Sequence, residues 1–274
     1  MSRNIVVVTG AGEMGHAIAR HVGSGAHLVL ADLNPKILDA VTDKLRGEGY
    51  EVTPVVTDVS ARESVAALAR RAAALGEVRH VVHTAGVSPT LAPIATILAV
   101  NLLGVALITE EFGKVIATGG AGVVISSMSG HLIPAFTAEQ VGQLATTPAD
   151  QVLGLPIADP ASFPSGGHAY AFTKRANLVQ VQAASGTWGA RGARINSISP
   201  GIIDTAQGRA ELDSEHGAGM RAMIDGSNAK RVGTPDDIAL AVDFLLSPAS
   251  AFVSGTDLLV DGGAVAAMQA RRLG

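Results

Sequence analysis

Tyr170-Ala-Phe-Thr-Lys174 sets a phenol and an ammonium four residues apart, on one face of any helix that carries them. Free tyrosine ionises at about pH 10. A phenol that exchanges protons near neutrality therefore needs a neighbour that stabilises the phenolate, and a lysine cation does this. YxxxK recurs by chance, but this chain holds only 2 tyrosines. Upstream, Ser126-Ser127 ends a β-branched run. A serine hydroxyl beside the phenol would aim two donors at one oxygen, where they stabilise the alkoxide-like charge that grows as a ketone and a secondary alcohol interconvert. Ser129 is a rival for the serine role, although Ser127 fits the strand end better.

Such a proton donor needs a hydride partner, and the N-terminal region carries a signal for one. Gly10-Ala-Gly12-Glu-Met-Gly15 follows the first apolar run and opens a helix with an apolar face of Met14, Ile18 and Val22. Glycines here let the backbone turn tightly and approach a pyrophosphate, while unpaired N–H groups at the helix start favour negative charge. In a glycine-rich chain the pattern alone often means only a tight turn. Asp32 ends the second run, where a carboxylate accepts hydrogen bonds from the adenosine ribose and repels a 2′-phosphate; Leu33 and Asn34 add no cation. The expectation is NAD(H) in preference to NADP(H), against a plainer reading in which Asp32 caps the turn before Asn34-Pro35. Asp58, after the third run, is placed to reach the adenine or to cap a helix. S-adenosylmethionine-dependent methyltransferases set similar residues on a similar sheet, so this end alone does not name the reaction.

The elements that must position these groups follow an alternation. Short β-branched runs at 5–8, 27–31, 52–56, 78–83, 123–126, 193–198 and 258–260 alternate with segments of helical character. This predicts one α/β domain over 1–274, a Rossmann-type doubly wound parallel sheet of about seven strands with helices on both faces. Ser60-Ala-Arg-Glu63 and Thr137-Ala-Glu-Gln140 read as capping boxes, and Thr147-Pro-Ala-Asp150 repeats the idea. Thr234-Pro-Asp-Asp237 supplies an N-cap, a first-turn proline and an acidic third position, with its helix stopping at Ser247 before Pro248. The stretch 131–167 breaks the rhythm, and a loop that long without structure is uncommon. Two short helices forming a flap are expected there, with Phe136, Leu144, Leu153 and Phe163 either lining an apolar substrate site or packing the flap onto the domain.

Composition removes several classes of function. The chain is 47% hydrophobic with only 6 Phe, 2 Tyr and 1 Trp, so Ala, Val, Leu and Ile must fill the interior. A net charge of −4 argues against a nucleic-acid partner. The chain contains no cysteine, which excludes a disulfide framework, a thiolate nucleophile and Cys-ligated metal. His131 and His168 come without metal-ligand spacing, so no metal site is expected. Leu91 to Ile108 carry no charge, but Pro93, Thr96, Asn101 and Gly104 interrupt them. A buried or interface helix is expected, not a membrane span. No secretion signal is read at the N-terminus, and a cytoplasmic location is expected.

Taken in order, the pieces resemble the short-chain dehydrogenase/reductase family over essentially the whole chain. They are Thr9-Gly10 to Gly15, Asp58-Val59, His83-Thr-Ala-Gly86, Asn101, Ser126-Ser127, Tyr170 with Lys174, Pro200-Gly201-Ile-Ile-Asp-Thr205, and Gly255 to Asp261-Gly-Gly263. The resemblance implies that Ser127 hydrogen-bonds the substrate oxygen and Tyr170 transfers the proton. It implies that Lys174 depresses the tyrosine pKa and holds the nicotinamide ribose, and that Asn101 supports a relay water. The implied cofactor contacts are Gly10, Gly12, Met14, Gly15, Asp32, Asp58, Val59, Ala85, Gly86, Tyr170, Lys174, Ile203 through its backbone, and Thr205.

The chain departs from the family pattern in three places. The loop reads TGAGEMG, one residue shorter than TGxxxGxG. His83-Thr-Ala-Gly86 stands where Asn-Asn-Ala-Gly or Asn-Ala-Ala-Gly is usual, so no asparagine role is carried over. Residues 128–169 separate Ser127 from Tyr170, an insertion similar in placement to that of a bacterial 3α-hydroxysteroid dehydrogenase/carbonyl reductase. The implied activity is reversible hydride transfer between nicotinamide and a secondary alcohol or ketone, the substrate being hydrophobic, such as a steroid or other carbonyl compound. The implied assembly is a homodimer or homotetramer, with the helices near Asn101 and from Tyr170 at the interface. The alternative, a non-catalytic dinucleotide sensor, needs the glycine loop and Asp32 but no Ser/Tyr/Lys set.

Overall fold

Each expected β-branched run is a strand: β1 (Asn4–Thr9), β2 (His27–Asp32), β3 (Glu51–Val56), β4 (Glu77–His83), β5 (Ile116–Ile125), β6 (Arg194–Pro200) and β7 (Asp257–Val260). In the computed structural model, which describes residues 3–90, 92–215 and 217–273, they form one parallel sheet of order β3-β2-β1-β4-β5-β6-β7. The order reverses between β1 and β4, and ligands of such sheets bind in the crevice at the strand C-termini there.

The helices are α1 (Glu13–Val22), α2 (Pro35–Gly47), α3 (Arg62–Leu75), α4 (Ile94–Leu98), α5 (Gly104–Gly113), α6 (Ala138–Thr146), α7 (Gly166–Gly189), α8 (Ala206–Leu212), α9 (Gly217–Gly226), α10 (Pro235–Leu246) and α11 (Ala264–Leu273). Strand alternation divides the interior into two layers. Ile5 and Val7 of β1 face Val65 and Leu68 of α3 and Ile108 and Phe112 of α5. Val6 and Val8 face Ile18 of α1, Leu38 of α2, and Ile238 and Val242 of α10. Trp188, the one tryptophan, is fully buried and donates to the Thr109 carbonyl at 3.0 Å.

The uncharged stretch is a helix packed inside the domain, burying Ile97, Leu98, Leu102, Val105 and Ile108; Leu91 lies outside the described residues. Between α4 and α5 the helix widens into a π turn at Ala99–Leu103, which holds Asn101.

Two helix starts match their sequence signals. Thr137 and Gln140 form the capping box of α6, and Thr234 and Asp237 form that of α10, whose C-cap is Ser247. The Ser60–Glu63 box does not form. Asp58 accepts from both the N–H and the hydroxyl of Ser60, and α3 starts one residue later, with Ala61 as its N-cap. The second expected flap helix is a 3-10 run, Ala149–Gly154, entered from Pro148 without a side-chain cap and followed by short turns at Pro156–Ala158 and Pro160–Ser162. Recurrent prolines remove the backbone donors that a longer helix needs.

The insertion lies against α4 and α7, the two helices expected at a subunit interface. Phe136 and Phe163 meet Phe172 of α7 in tilted contacts with ring centroids 5.4 and 5.1 Å apart, and Leu144, Val152, Leu98 and Ala176 belong to the same separate cluster. Arg62 of α3 fastens the insertion from the other side by binding Asp150 together with Glu110 and Glu111 of α5.

Candidate active site

At the end of β1 the chain turns through Gly10, whose φ of +90° and close approach to Thr84 and Ala85 exclude a side chain. Its N–H donates to the Ala31 carbonyl, and Thr84 donates to the carbonyls of Thr9 and Gly10, which ties the loop to β2 and β4. Gly12 is the N-cap of α1 and offers no side-chain acceptor. The first N–H bonded within the helix is that of His16, to Gly12, so the N–H groups of Glu13, Met14 and Gly15 head the helix as donors for an anion. A Cβ on Gly12 would meet nothing within 4 Å, so the backbone is open there to a close-fitting group. The shortened loop thus keeps both properties a pyrophosphate requires.

Asp32 caps the turn before Asn34-Pro35 and also faces the cleft. Its carboxylate accepts from the Ala11 N–H at 2.7 Å and the Asn34 N–H at 2.8 Å, and it also lines the cleft above the loop. Asp58 lines the cleft while holding Ser60, and Val59 beside it packs beneath Gly104.

The other end of the cleft is built where α7 crosses the end of β5. The Ser126 hydroxyl donates to the Lys174 carbonyl at 2.6 Å and Lys174 Nζ donates to the Ile125 carbonyl at 3.1 Å, a reciprocal clasp of helix on strand. Nζ lies 5.5 Å from the centre of the Tyr170 ring, as expected for residues one helical turn apart. Burial pushes the lysine pKa down to about 8. Burial also raises the Tyr170 phenol above its ordinary value, the Glu211 carboxylate raises it further, and a hydrogen bond with Ser127 acts the other way. Lys174 is not among the causes of this shift, so the lowering that the resemblance implies is not part of it.

Ser127, not Ser129, pairs with Tyr170. The Ser129 N–H donates to Ser127 Oγ at 3.2 Å, while Ser129 Oγ is buried in the same cleft without a partner among the described residues. His131 anchors the turn that follows these serines, its Nε2 lying 2.8 Å from Asp257 and 3.2 Å from Ser199. His83 is buried with Nδ1 2.6 Å from the Thr9 hydroxyl, and burial pushes its pKa down to about 3, so it stays neutral. It serves as a strand-to-strand tie.

One cleft of about 660 Å³ gathers Ser127, Tyr170, Lys174 and every residue expected to touch the cofactor, Met14, Ala85, Gly86, Ile203 and Thr205 included. Asn101 is the exception. Its side chain exchanges two 2.9 Å hydrogen bonds with the backbone of Val87, pinning the loop after Gly86, where a Cβ would sit 3.3 Å from the Asn101 oxygen and 3.6 Å from Lys174 Nζ. Asn101 therefore stands behind the site and shapes it. Thr205 caps α8 by accepting from the Gly208 N–H.

Phe136, Leu144, Leu153 and Phe163 do not line the cleft. Phe136, Leu144 and Phe163 sit on the side of α7 marked by Phe172 and Ala176, away from Tyr170 and Lys174, and pack the insertion onto the domain, while Leu153 is exposed. The walls that sequence reasoning missed come from α8 and α9: Gln207, Glu211, Met220 and Met223. No local pattern marks them, because the face a short helix turns toward a cleft is set by tertiary contacts.

The same layout occurs in known proteins. Residues 4–138 match the family described as short chain dehydrogenase, and residues 157–265 match that described as Enoyl-(Acyl carrier protein) reductase. The chain is 43% identical over 267 residues to a short-chain dehydrogenase/reductase of Alternaria brassicicola, covering 97% of each. It is 30% identical to D-threitol dehydrogenase of Mycolicibacterium smegmatis, covering 94% of this chain and 92% of that one. Among solved structures, levodione reductase has the same fold, with a TM-score of 0.76 at 24% identity over 96% of this chain and 98% of that one.

Proposed function

The chain belongs to the short-chain dehydrogenase/reductase family, whose members use NAD(P)(H), and is an alcohol/ketone oxidoreductase; from this premise we propose that it prefers NAD(H) and works through Ser127, Tyr170 and Lys174. The carrying observation is that Ser127, Tyr170 and Lys174 share one cleft with the glycine loop and Asp32. A nicotinamide bound in this cleft supplies or accepts the hydride.

Ser127 accepts the Ser129 N–H and donates its own proton to the substrate oxygen once that oxygen replaces the phenol as its partner. Tyr170 gives that oxygen a proton in reduction and takes it back in oxidation. With one hydrogen bond made to Ile125, Lys174 retains two donors for a ribose hydroxyl and keeps positive charge under the phenol. Asn101 holds the loop against which these groups are set. The preference for NAD(H) rests on Asp32: among the described residues lining the cleft, the only cation is Lys174, so a 2′-phosphate would face the carboxylate uncompensated. Met128, Met220 and Met223 suit a substrate with an apolar body, a steroid or another carbonyl compound. A non-catalytic sensor would have no use for a buried lysine clasped beside a phenol. A homodimer or homotetramer is the proposed assembly, built on faces the insertion leaves open.

Nicotinamide absorbance with a panel of ketones and alcohols tests this reading. Wild type is expected to oxidise NADH in preference to NADPH, and Tyr170→Phe to bind NADH without turnover. Asp32→Asn, which keeps an acceptor but removes the charge, is expected to narrow the preference by about tenfold. Equal activity of Tyr170→Phe would remove Tyr170 from the mechanism, and a wild-type preference for NADPH would overturn the role of Asp32.

A further inference from the structure

We propose that the substrate carries a hydroxyl group besides the one at its reacting carbon, and that Glu211, oriented by Gln207, binds it. This rests on the dehydrogenase reading above and adds the chemical class of what enters the cleft.

Gln207 and Glu211 lie one turn apart on α8, half-buried, and both line the cleft. The Gln207 amide donates to Glu211 Oε1 at 3.2 Å, which fixes the carboxylate; among the described residues Oε2 has no partner. The cation nearest along the helix, Arg209, is engaged elsewhere, binding Asp204 and Glu13 at 2.7 Å each. Glu211 is on the reacting side of the cleft, because its charge is felt at the Tyr170 phenol. Met128, Met220 and Met223, which line the same cleft, are apolar, and the Ser214 hydroxyl donates to the Glu211 carbonyl.

A carboxylate in such a wall discriminates between substrates. Covering it with an apolar surface strips its water and returns no donor, which is costly. A substrate carboxylate or phosphate is repelled. A hydroxyl replaces the lost water and donates to the free oxygen. A group placed to hydrogen-bond a substrate hydroxyl rejects the analogue that lacks it far more strongly than an apolar pocket rejects a change of size.

The test compares cyclohexanone with its 2-, 3- and 4-hydroxy derivatives, 4-aminocyclohexanone and 4-oxocyclohexanecarboxylate, on wild type, Glu211→Gln and Glu211→Leu, with melting temperature as the folding control. At least one hydroxycyclohexanone is expected to exceed cyclohexanone in kcat/KM by about 10- to 100-fold, expressed mainly in KM. That ratio is expected to collapse in Glu211→Leu and to survive in part in Glu211→Gln, which retains an acceptor. The oxo acid is expected to be the poorest wild-type substrate and to improve in both variants. An unchanged ratio in Glu211→Leu, or no gain from any hydroxyl, overturns the proposal while leaving the dehydrogenase reading intact. A preference for the amino ketone over every hydroxy ketone overturns it in favour of a cationic substrate. Failure of every ketone and alcohol with both nicotinamides overturns the dehydrogenase reading itself.

Discussion

Glu13, the first residue of α1, reaches across the cleft to α8, where its carboxylate accepts from the Ala206 N–H at 2.6 Å and from Arg209 at 2.7 Å. The phosphate loop is thereby tied to the helix that carries Gln207 and Glu211. The ion pair is about half exposed on both sides, a setting in which such pairs contribute about 0–1 kcal/mol. Its consequence is therefore kinetic. Glu13→Gln is expected to leave the melting temperature nearly unchanged while raising the association and dissociation rates of NADH together, read by stopped-flow fluorescence. Unaltered rates would mean that α8 does not restrict passage of the cofactor.

The division of labour between the two serines is open to direct measurement. Ser127→Ala removes the hydroxyl that shares the cleft with Tyr170 and is expected to lower kcat by about 10²- to 10³-fold, the size seen when one donor to a developing oxyanion is lost. Ser129→Ala removes a buried hydroxyl with no partner among the described residues and is expected to change kcat by less than about threefold. Reversed magnitudes would exchange their roles.

Lys174 makes stability depend on pH in a defined window. Its pKa falls from 10.5 to about 8 on folding, because burial disfavours the ammonium. A depressed pKa means that the folded state binds fewer protons than the unfolded state between these values, so the lysine's contribution to stability rises with pH across the window and is lost as pH falls toward 8. Lys174→Met is therefore expected to gain most over wild type near pH 7, and the gap in melting temperature is expected to shrink as pH approaches 10. A gap that stays constant would show that the lysine keeps its ordinary pKa in the folded protein.

Phe163 distinguishes a packing role from a gating role for the insertion. It touches Phe172 and does not line the cleft, so Phe163→Ala is expected to cost about 1–3 kcal/mol in denaturant unfolding while the KM for ketone stays within about twofold. A large shift in KM with little loss of stability would make the insertion a gate.

What the sequence disclosed and what it hid follow from the range of the interactions. Strands buried on both faces must be apolar along their whole length, so runs such as Ile5 to Val8 and Val123 to Ile125 stand out. Tyr170 and Lys174 were readable because four residues of helix set their distance. The Ser60 signal misled because Asp58, two residues earlier, competes for the same hydroxyl. Glu211 was illegible because the placement of α8 depends on Glu13, a residue far away in sequence, holding its first turn. The tie between Asn101 and Val87 was illegible for a similar reason, since the two residues lie on different elements and only the fold brings them together.

The π turn at Ala99–Leu103 joins two segments that answer to different surfaces. Leu98 before it and Leu102 within it belong to the cluster under the insertion, whereas Val105, Ile108 and Phe112 beyond it belong to the sheet. A residue beyond the normal helical repeat rotates everything downstream by about 100°. The widened turn thus acts as a phase shifter, letting one continuous helix present its apolar stripe first to the insertion and then to the sheet. Removing one residue here would keep the helix and misalign half of it, carrying Phe112 away from the interior it fills.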